Sequence, residues 1–225
     1  MIKLPKPSIV INFKVYEEAE GAKALNITKM CAAVSKDSGV AIAVCPPAPE
    51  LGIIARSIKI PVLAQNADPF PAGASTGWMT PSVIKGAGAF GTLINHTEHK
   101  STDDTISKAI KMCGELNLLT IVCADSVEAA VRIAKFRPDI IAVEPPELIG
   151  GNVSVTDADP YIVKNTVTSV KKESRDISVL CGAGIKTGKD VKAALELGAD
   201  GVLLASGIIR ADDPKGALLD LIQYL

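Results

Sequence analysis

Three residues in this chain are of types that move protons or hold anions, and each ends a short apolar run. Glu144 closes DIIAVE and opens EPPELIGGN (144–152), His96 closes GTLINH, and Lys14 closes SIVINFK. A carboxylate at such a place is partly desolvated, which raises its proton affinity toward that of a useful base. Histidine exchanges a proton near neutral pH, and a lysine ammonium can hold an anionic substrate. The plainer readings are a rim ion pair for Glu144, a satisfied structural imidazole for His96 and a surface amine for Lys14. Two glycine-rich segments, CGAGIKTGKDV (181–191) and LLASGIIRADDP (203–214), follow the last two apolar runs. Either alone could be a tight turn that glycine permits. As a pair they can turn backbone N–H groups onto a phosphate. Pro145 and Pro146 stiffen the chain after Glu144, and Gly150 and Gly151 would let it swing, which is how a hinged lid is written.

The elements that would position these groups recur evenly. Apolar, β-branched runs lie at 8–14, 40–45, 61–66, 91–96, 119–124, 139–144, 178–182 and 201–205. They are continuous rather than alternating in polarity, as strands buried on both faces should be. Between them, 101–116, 126–136 and 188–201 open on capping residues and carry apolar side chains at helical spacing. Eight strand–helix units of about 28 residues fit a closed (β/α)8 barrel, a TIM barrel, as one domain over 1–225. An open doubly wound sheet would carry a glycine fingerprint after its first strand, where INFKVYEEAEG stands instead. A barrel puts its active site at the C-terminal strand ends. The polar residues there are Asn12, Lys14, Gln65, Asn66, Asn95, His96 and Glu144, with the small residues 182–184 and 205–207. Asp68, Asp125 and Asp200 read as turn or capping residues, and His99 as solvated.

Composition narrows the classes. Hydrophobic residues are 48% and charged residues 22%, enough for a substantial core. Lys plus Arg is 24 and Asp plus Glu 25, so no net field favours nucleic acid or an anionic membrane. No apolar run approaches the ~18–20 residues of a membrane span, and the N-terminus lacks a signal-peptide core, which points to the cytoplasm. The five cysteines form no CxxC pair and read as buried thiols, and two histidines do not make a multi-histidine metal site.

Asn12-Phe13-Lys14, Asn95-His96-Thr97-Glu98, Glu144-Pro-Pro-Glu-Leu-Ile-Gly and the Cys181-Gly-Ala-Gly-Ile run resemble, in order and spacing, the triosephosphate isomerase family, most closely its shorter archaeal branch. The resemblance implies interconversion of dihydroxyacetone phosphate and D-glyceraldehyde 3-phosphate without metal or organic cofactor, in glycolysis and gluconeogenesis. It implies that Glu144 is the carbon base and that neutral His96 polarises the carbonyl. A short helical run after His96 would further disfavour its charged form. By the same resemblance Asn12, Phe13 and Lys14 meet substrate, and Glu98 and Thr97 support the histidine. Ile149, Gly150, Gly184, Ala205 and Ser206 would surround the phosphate.

The sequence departs from the family at Thr97, at His99-Lys100, at Gly151-Asn152-Val153 in the lid, and at Trp78 in PFPAGASTGWMTP (69–81). That last segment is long for a βα loop. In the family it inserts beside a neighbouring subunit's site, so the resemblance implies a homodimer or homotetramer, with Thr76 at the interface reaching the partner's Asn12. A prenyl–glycerol-phosphate synthase would need a magnesium site and a long apolar groove, and a ribulose-phosphate epimerase would need metal-binding histidines. Neither pattern stands at the strand ends. A phosphate-binding paralogue without catalysis would not need Lys14, His96 and Glu144 together.

The lid reading carries its own test. An enediolate beside a phosphate ester can expel phosphate and leave methylglyoxal, and a closed lid suppresses this by holding the phosphate near the enediol plane and excluding water. Removing residues 149–152 should lower kcat and divert turnover to methylglyoxal. A slow variant with the parent's product ratio would contradict the lid.

Overall fold

The computed structural model describes residues 2–144 and 160–225. Its strands are β1 (Ser8–Asn12), β2 (Ala41–Cys45), β3 (Leu63–Ala64), β4 (Gly91–Ile94), β5 (Leu119–Ala124), β6 (Ile140–Val143), β7 (Ser178–Cys181) and β8 (Gly201–Leu204). The helices between them are α1 (Ala22–Ser38), α2 (Leu51–Ser57), α3 (Pro81–Ala87), α4 (Asp103–Glu115), α5 (Val127–Ala134), α6 (Pro160–Glu173) and α7 (Gly188–Glu196). A short turn of helix, α8 (Ser206–Ile209), and α9 (Pro214–Ile222) follow β8.

All pairings are parallel, in the order β2-β1-β8-β7-β6-β5-β4-β3. The ring closes between its ends through one bridge, Val44 to Val62, where Val44 N–H donates to the Pro61 carbonyl at 3.1 Å. This is the expected (β/α)8 barrel. Its tightest economy is at β3, where the run 61–66 yields only two ladder residues before the chain leaves for a long loop.

Two apolar clusters explain the continuous runs. Val10, Cys45, Leu63, Leu93, Ile121, Cys123, Ala142, Leu180 and Leu203 fill the barrel interior. Ile9, Ile11, Val44, Ile94, Val122, Ile141, Val143, Val179 and Val202 face the helices. The two sets alternate along every strand, as the pleat requires. Extending the interior series by one step gives Asn12 at the end of β1 and, just past their strands, Gln65, Asn95, Glu144, Gly182 and Ala205. Strand parity therefore aims those residues at the barrel mouth.

Helix starts follow the cap residues. Thr80, Thr102, Ser126 and Asp213 accept from the backbone N–H three residues on, and Asp190 accepts from Thr187 N–H at 2.8 Å. Asp200 does more than turn the chain. It accepts from Val179 N–H and pairs with Lys6 and Lys171 at 2.9 and 3.0 Å, joining the N-terminal segment, α6 and β7. Asp68 likewise ties a loop base rather than a simple turn, and Asp125 pairs with Lys100. All five cysteines are buried and free. Among the described residues no helix is long and apolar enough to cross a membrane.

Candidate active site

A cavity of about 490 Å³ opens at the C-terminal ends of the strands, lined by Asn12, Lys14, His96, Thr97, Glu144 and the 182–186 and 203–207 segments. Residues from five strand ends thus converge on one mouth.

Glu144 follows β6 and is 4% exposed. Burial is the main reason its carboxyl is pushed up to about 7, while hydrogen bonds from Thr97 N–H and the Cys123 thiol, and the Lys14 charge, pull the other way. Cys123 lies on β5 beside β6, in register with Ala142, so the ladder sets it next to the glutamate. Gly182 makes room on the other side. A Cβ there would stand 2.8 Å from Glu144 Cγ and 2.9 Å from the Val143 carbonyl oxygen, so any side chain would displace the carboxylate. The free protein should therefore show a Glu144 carboxyl that ionises near pH 7. Infrared difference spectra between the parent and Glu144→Gln would follow its C=O stretch, and a midpoint below pH 5 would contradict the burial argument.

His96 reaches the mouth by a change of backbone hand. Parity points Asn95, not His96, inward, but Asn95 adopts φ +60°, which turns the next side chain back over the barrel. Asparagine tolerates this region, and its side chain fixes it. Asn95 Oδ1 accepts from Ser101 N–H at 2.9 Å, and its amide donates to the Cys123 carbonyl at 2.9 Å. His96 Nδ1 accepts from Glu98 N–H at 3.1 Å. A neutral imidazole that accepts at Nδ1 carries its proton on Nε2, and Nε2 lies 3.4 Å from Glu144 Oε1. Burial lowers the pKa of His96, and the nearby Lys14 charge lowers it further.

The helix expected directly after His96 is not there. Residues 97–98 form a turn in which His99 N–H donates back to the His96 carbonyl, and α4 begins only at Asp103. Desolvation and Lys14, not a helix terminus, keep the imidazole neutral. His99 is exposed, as expected.

Lys14 also sits in the left-handed region, at φ +48°. Its N–H donates to Asn12 Oδ1 at 3.0 Å, and the Gln65 amide donates to its carbonyl at 2.8 Å. The same amide reaches the Cys45 carbonyl at 3.0 Å, so Gln65 clamps loop 1 to β2. Lys14 Nζ pairs with Glu98 Oε1 at 2.7 Å. Phe13 is fully buried and faces the outer core, so it anchors this loop from behind rather than lining the mouth.

Gly184, Ala205 and Ser206 line the wall after β7 and β8. Gly184 has φ +72°, where a side chain would be strained. Ile149 and Gly150 lie outside the described residues. Thr76 lies in the exposed tip of the 65–80 loop, far along the chain from the barrel ends, and hydrogen-bonds to none of the described residues. Cys123 and Gly182 were legible only as a thiol and a turn glycine, and their service to Glu144 needs the β5–β6–β7 register. Among the described residues no group of three His, Cys, Asp or Glu side chains is placed to hold a metal ion.

Residues 7–225 match the family model described as triosephosphate isomerase. The chain is 47% identical over 222 residues to the triosephosphate isomerase of Methanothermus fervidus, covering 99% of this chain and 100% of that one. It is 48% identical over 219 residues to that of Methanobacterium bryantii, with 97% of each chain covered. Against that of Methanopyrus kandleri it is 47% identical over 221 residues, covering 97% of this chain and 98% of the other. At that identity over nearly its whole length, the chain belongs to the triosephosphate isomerase family.

Proposed function

We propose that the protein interconverts dihydroxyacetone phosphate and D-glyceraldehyde 3-phosphate by proton transfer through an enediol(ate), as a cytoplasmic enzyme of glycolysis and gluconeogenesis that needs no metal or organic cofactor. The observation that carries this reading is the pair at the mouth. A buried carboxylate with raised proton affinity stands 3.4 Å from the protonated nitrogen of a neutral imidazole. Glu144 takes the proton from one carbon and returns it to the next. His96 donates its Nε2 hydrogen to the carbonyl oxygen as charge develops there, and exchanges protons between the two oxygens. A neutral imidazole is a matched donor for an enediolate, whose own proton affinity is high. Lys14 supplies the fixed positive charge that this intermediate requires.

The small residues Gly184, Ala205 and Ser206 suit the phosphate, since backbone can approach it closely there. Thr97 and Glu98 act through the histidine and the base: Glu98 N–H sets the imidazole tautomer, and Thr97 N–H steadies the Glu144 carboxylate.

The same reading includes self-association, as a homodimer or homotetramer. Asn12, Lys14 and His96 also line a second cavity of about 540 Å³, behind the site, together with Val15, Gln65, Trp78, Glu98 and His99. Val15 and Trp78 are 75% and 50% exposed there, which is an apolar opening that a partner's loop tip would cover.

A coupled assay on D-glyceraldehyde 3-phosphate, with and without a chelator and beside a mass measurement in solution, tests the whole reading. Turnover that the chelator leaves intact is expected, with a mass of two or four chains. Absence of isomerisation would overturn the reading.

A further inference from the structure

Two lysines line the active-site cavity, Lys14 and Lys186. They differ in how their charge is used. The Lys14 ammonium is 2.7 Å from Glu98 Oε1, so it is already engaged by a carboxylate before a substrate arrives. Lys186 is exposed and has no ion pair among the described residues. It stands on the wall formed by Gly184, Ile185, Ser206 and Gly207, after β7, two strands round the barrel from the β1 end that carries Lys14.

The backbone of Lys186 has a separate task. Its N–H donates to Asp190 Oδ2 at 3.1 Å, and the same oxygen receives Thr187 N–H at 2.8 Å and the Thr187 hydroxyl at 2.9 Å. Asp190 is 2% exposed and spends its carboxylate on holding this turn at the start of α7. The loop's shape is therefore fixed by backbone and Asp190, and the Lys186 side chain has no structural partner among the described residues.

We propose that Lys186 is a second, phosphate-directed cation of the site, which recruits the substrate's dianionic phosphate to the Gly184–Ser206 wall while Lys14 serves the reacting end. This rests on the isomerase reading above. A phosphate monoester carries about −1.5 to −2 charges at neutral pH. The cavity also holds Glu144, and Glu98 stands beside Lys14; both oppose the approach of an anion. A cation at the rim of a low-dielectric cleft, with no ion pair among the described residues, offsets them and raises the capture rate without touching the proton transfers.

The test is Lys186→Gln beside the conservative Lys186→Arg, assayed in about 10 mM and about 0.5 M salt, where screening lengths differ severalfold. In low salt Lys186→Gln should lose about three- to tenfold in kcat/KM for D-glyceraldehyde 3-phosphate, with kcat changed less than about twofold. The loss should shrink to under about twofold in high salt, and Lys186→Arg should keep the parent's value. Slow turnover of phosphate-free D-glyceraldehyde should not respond to either substitution. Titration calorimetry with inorganic phosphate reads the same residue without turnover, so it still tests Lys186 if the parent protein fails to isomerise. Unchanged phosphate affinity and kcat/KM in low salt would overturn the proposal. So would a loss that persists in high salt, or one that Lys186→Arg shares.

Discussion

Glu144→Gln is expected to lower kcat by ~10²–10⁴ or more, the range for removal of a positioned acid–base group. The substitution keeps the volume beside Gly182 and can still accept from Thr97 N–H, so the wall of the site should stand. Affinity for a phosphate-bearing inhibitor should therefore change little, which separates loss of the base from loss of the pocket. Retention of more than about a tenth of the parent's kcat would place the base elsewhere.

The same variant should be more stable, and the gain should depend on pH. The folded pKa of Glu144 is raised to about 7, against about 4.3 for an exposed glutamate. Between those two values the unfolded chain is ionised while the folded one holds a proton, so stability falls as pH rises through that window. Above pH 7 the folded protein bears the full cost of a buried charge, on the order of 2–4 kcal/mol. Glutamine removes much of that cost. At pH 8 the variant should melt several degrees above the parent, since ~1 kcal/mol moves a domain of this size by about 2–4 °C. Near pH 4.5 the two should melt together. Equal melting at both pH values would contradict the link between burial and basicity. On the proposed function, stability is given up to keep a carboxylate in an apolar wall where it would act as a base.

What the sequence could disclose follows from how each feature is encoded. The barrel is written in local patterns: β-branched runs, capping residues and even spacing, all within a few residues of one another. All strands but β5 are shorter than the expected runs, by one to four residues, in part because the polar ends 13–14, 95–96 and 144 leave the ladder to form the mouth. Parity was hidden for the reason that made the strands recognisable. A run buried on both faces shows no alternation, so nothing in DIIAVE says that Glu144 points inward and Val143 outward. Histidine 96 is a sharper case, since its aim depends on a left-handed Asn95 held by Ser101 and the Cys123 carbonyl, a partner 28 residues away. The expected helix after His96 failed because the TEHK stretch offers no apolar stripe to pack, and the chain closes a turn instead. The thiol donor Cys123 and the space at Gly182 are relations between neighbouring strands, which only the register supplies.

Deleting residues 73–77 should yield monomers with a folded barrel and little activity. The loop that carries them is tied at its base. Asp68 N–H donates to the Met79 carbonyl and Met79 N–H donates to Asp68 Oδ2, both at 2.8 Å, while the Asn66 amide donates to Asp68 Oδ1 at 2.8 Å. The tip's own bonds, Ser75 N–H to the Gly73 carbonyl and Trp78 N–H to the Ser75 carbonyl, lie within or beside the deleted stretch, so the barrel loses no support. What should be lost lies across the interface. The Asn12 Oδ1 holds Lys14 N–H, while its amide N–H donates to nothing among the described residues and keeps contact with solvent. A threonine hydroxyl from a partner's tip, Thr76, is the acceptor that would complete it. Lys14 sits at φ +48°, a conformation costing ~1–3 kcal/mol that persists only while its surroundings hold it. Without the partner, Asn12 would be free to turn and Lys14 to relax, and a displacement of ~1 Å in a substrate-positioning group can cost ~10²-fold in rate. Sedimentation and kcat, measured on the same sample, decide the matter. An oligomer with full activity would refute the placement of Thr76 at the interface. A monomer as active as the parent would keep the interface but refute the idea that the neighbouring chain holds Asn12 and Lys14 in place.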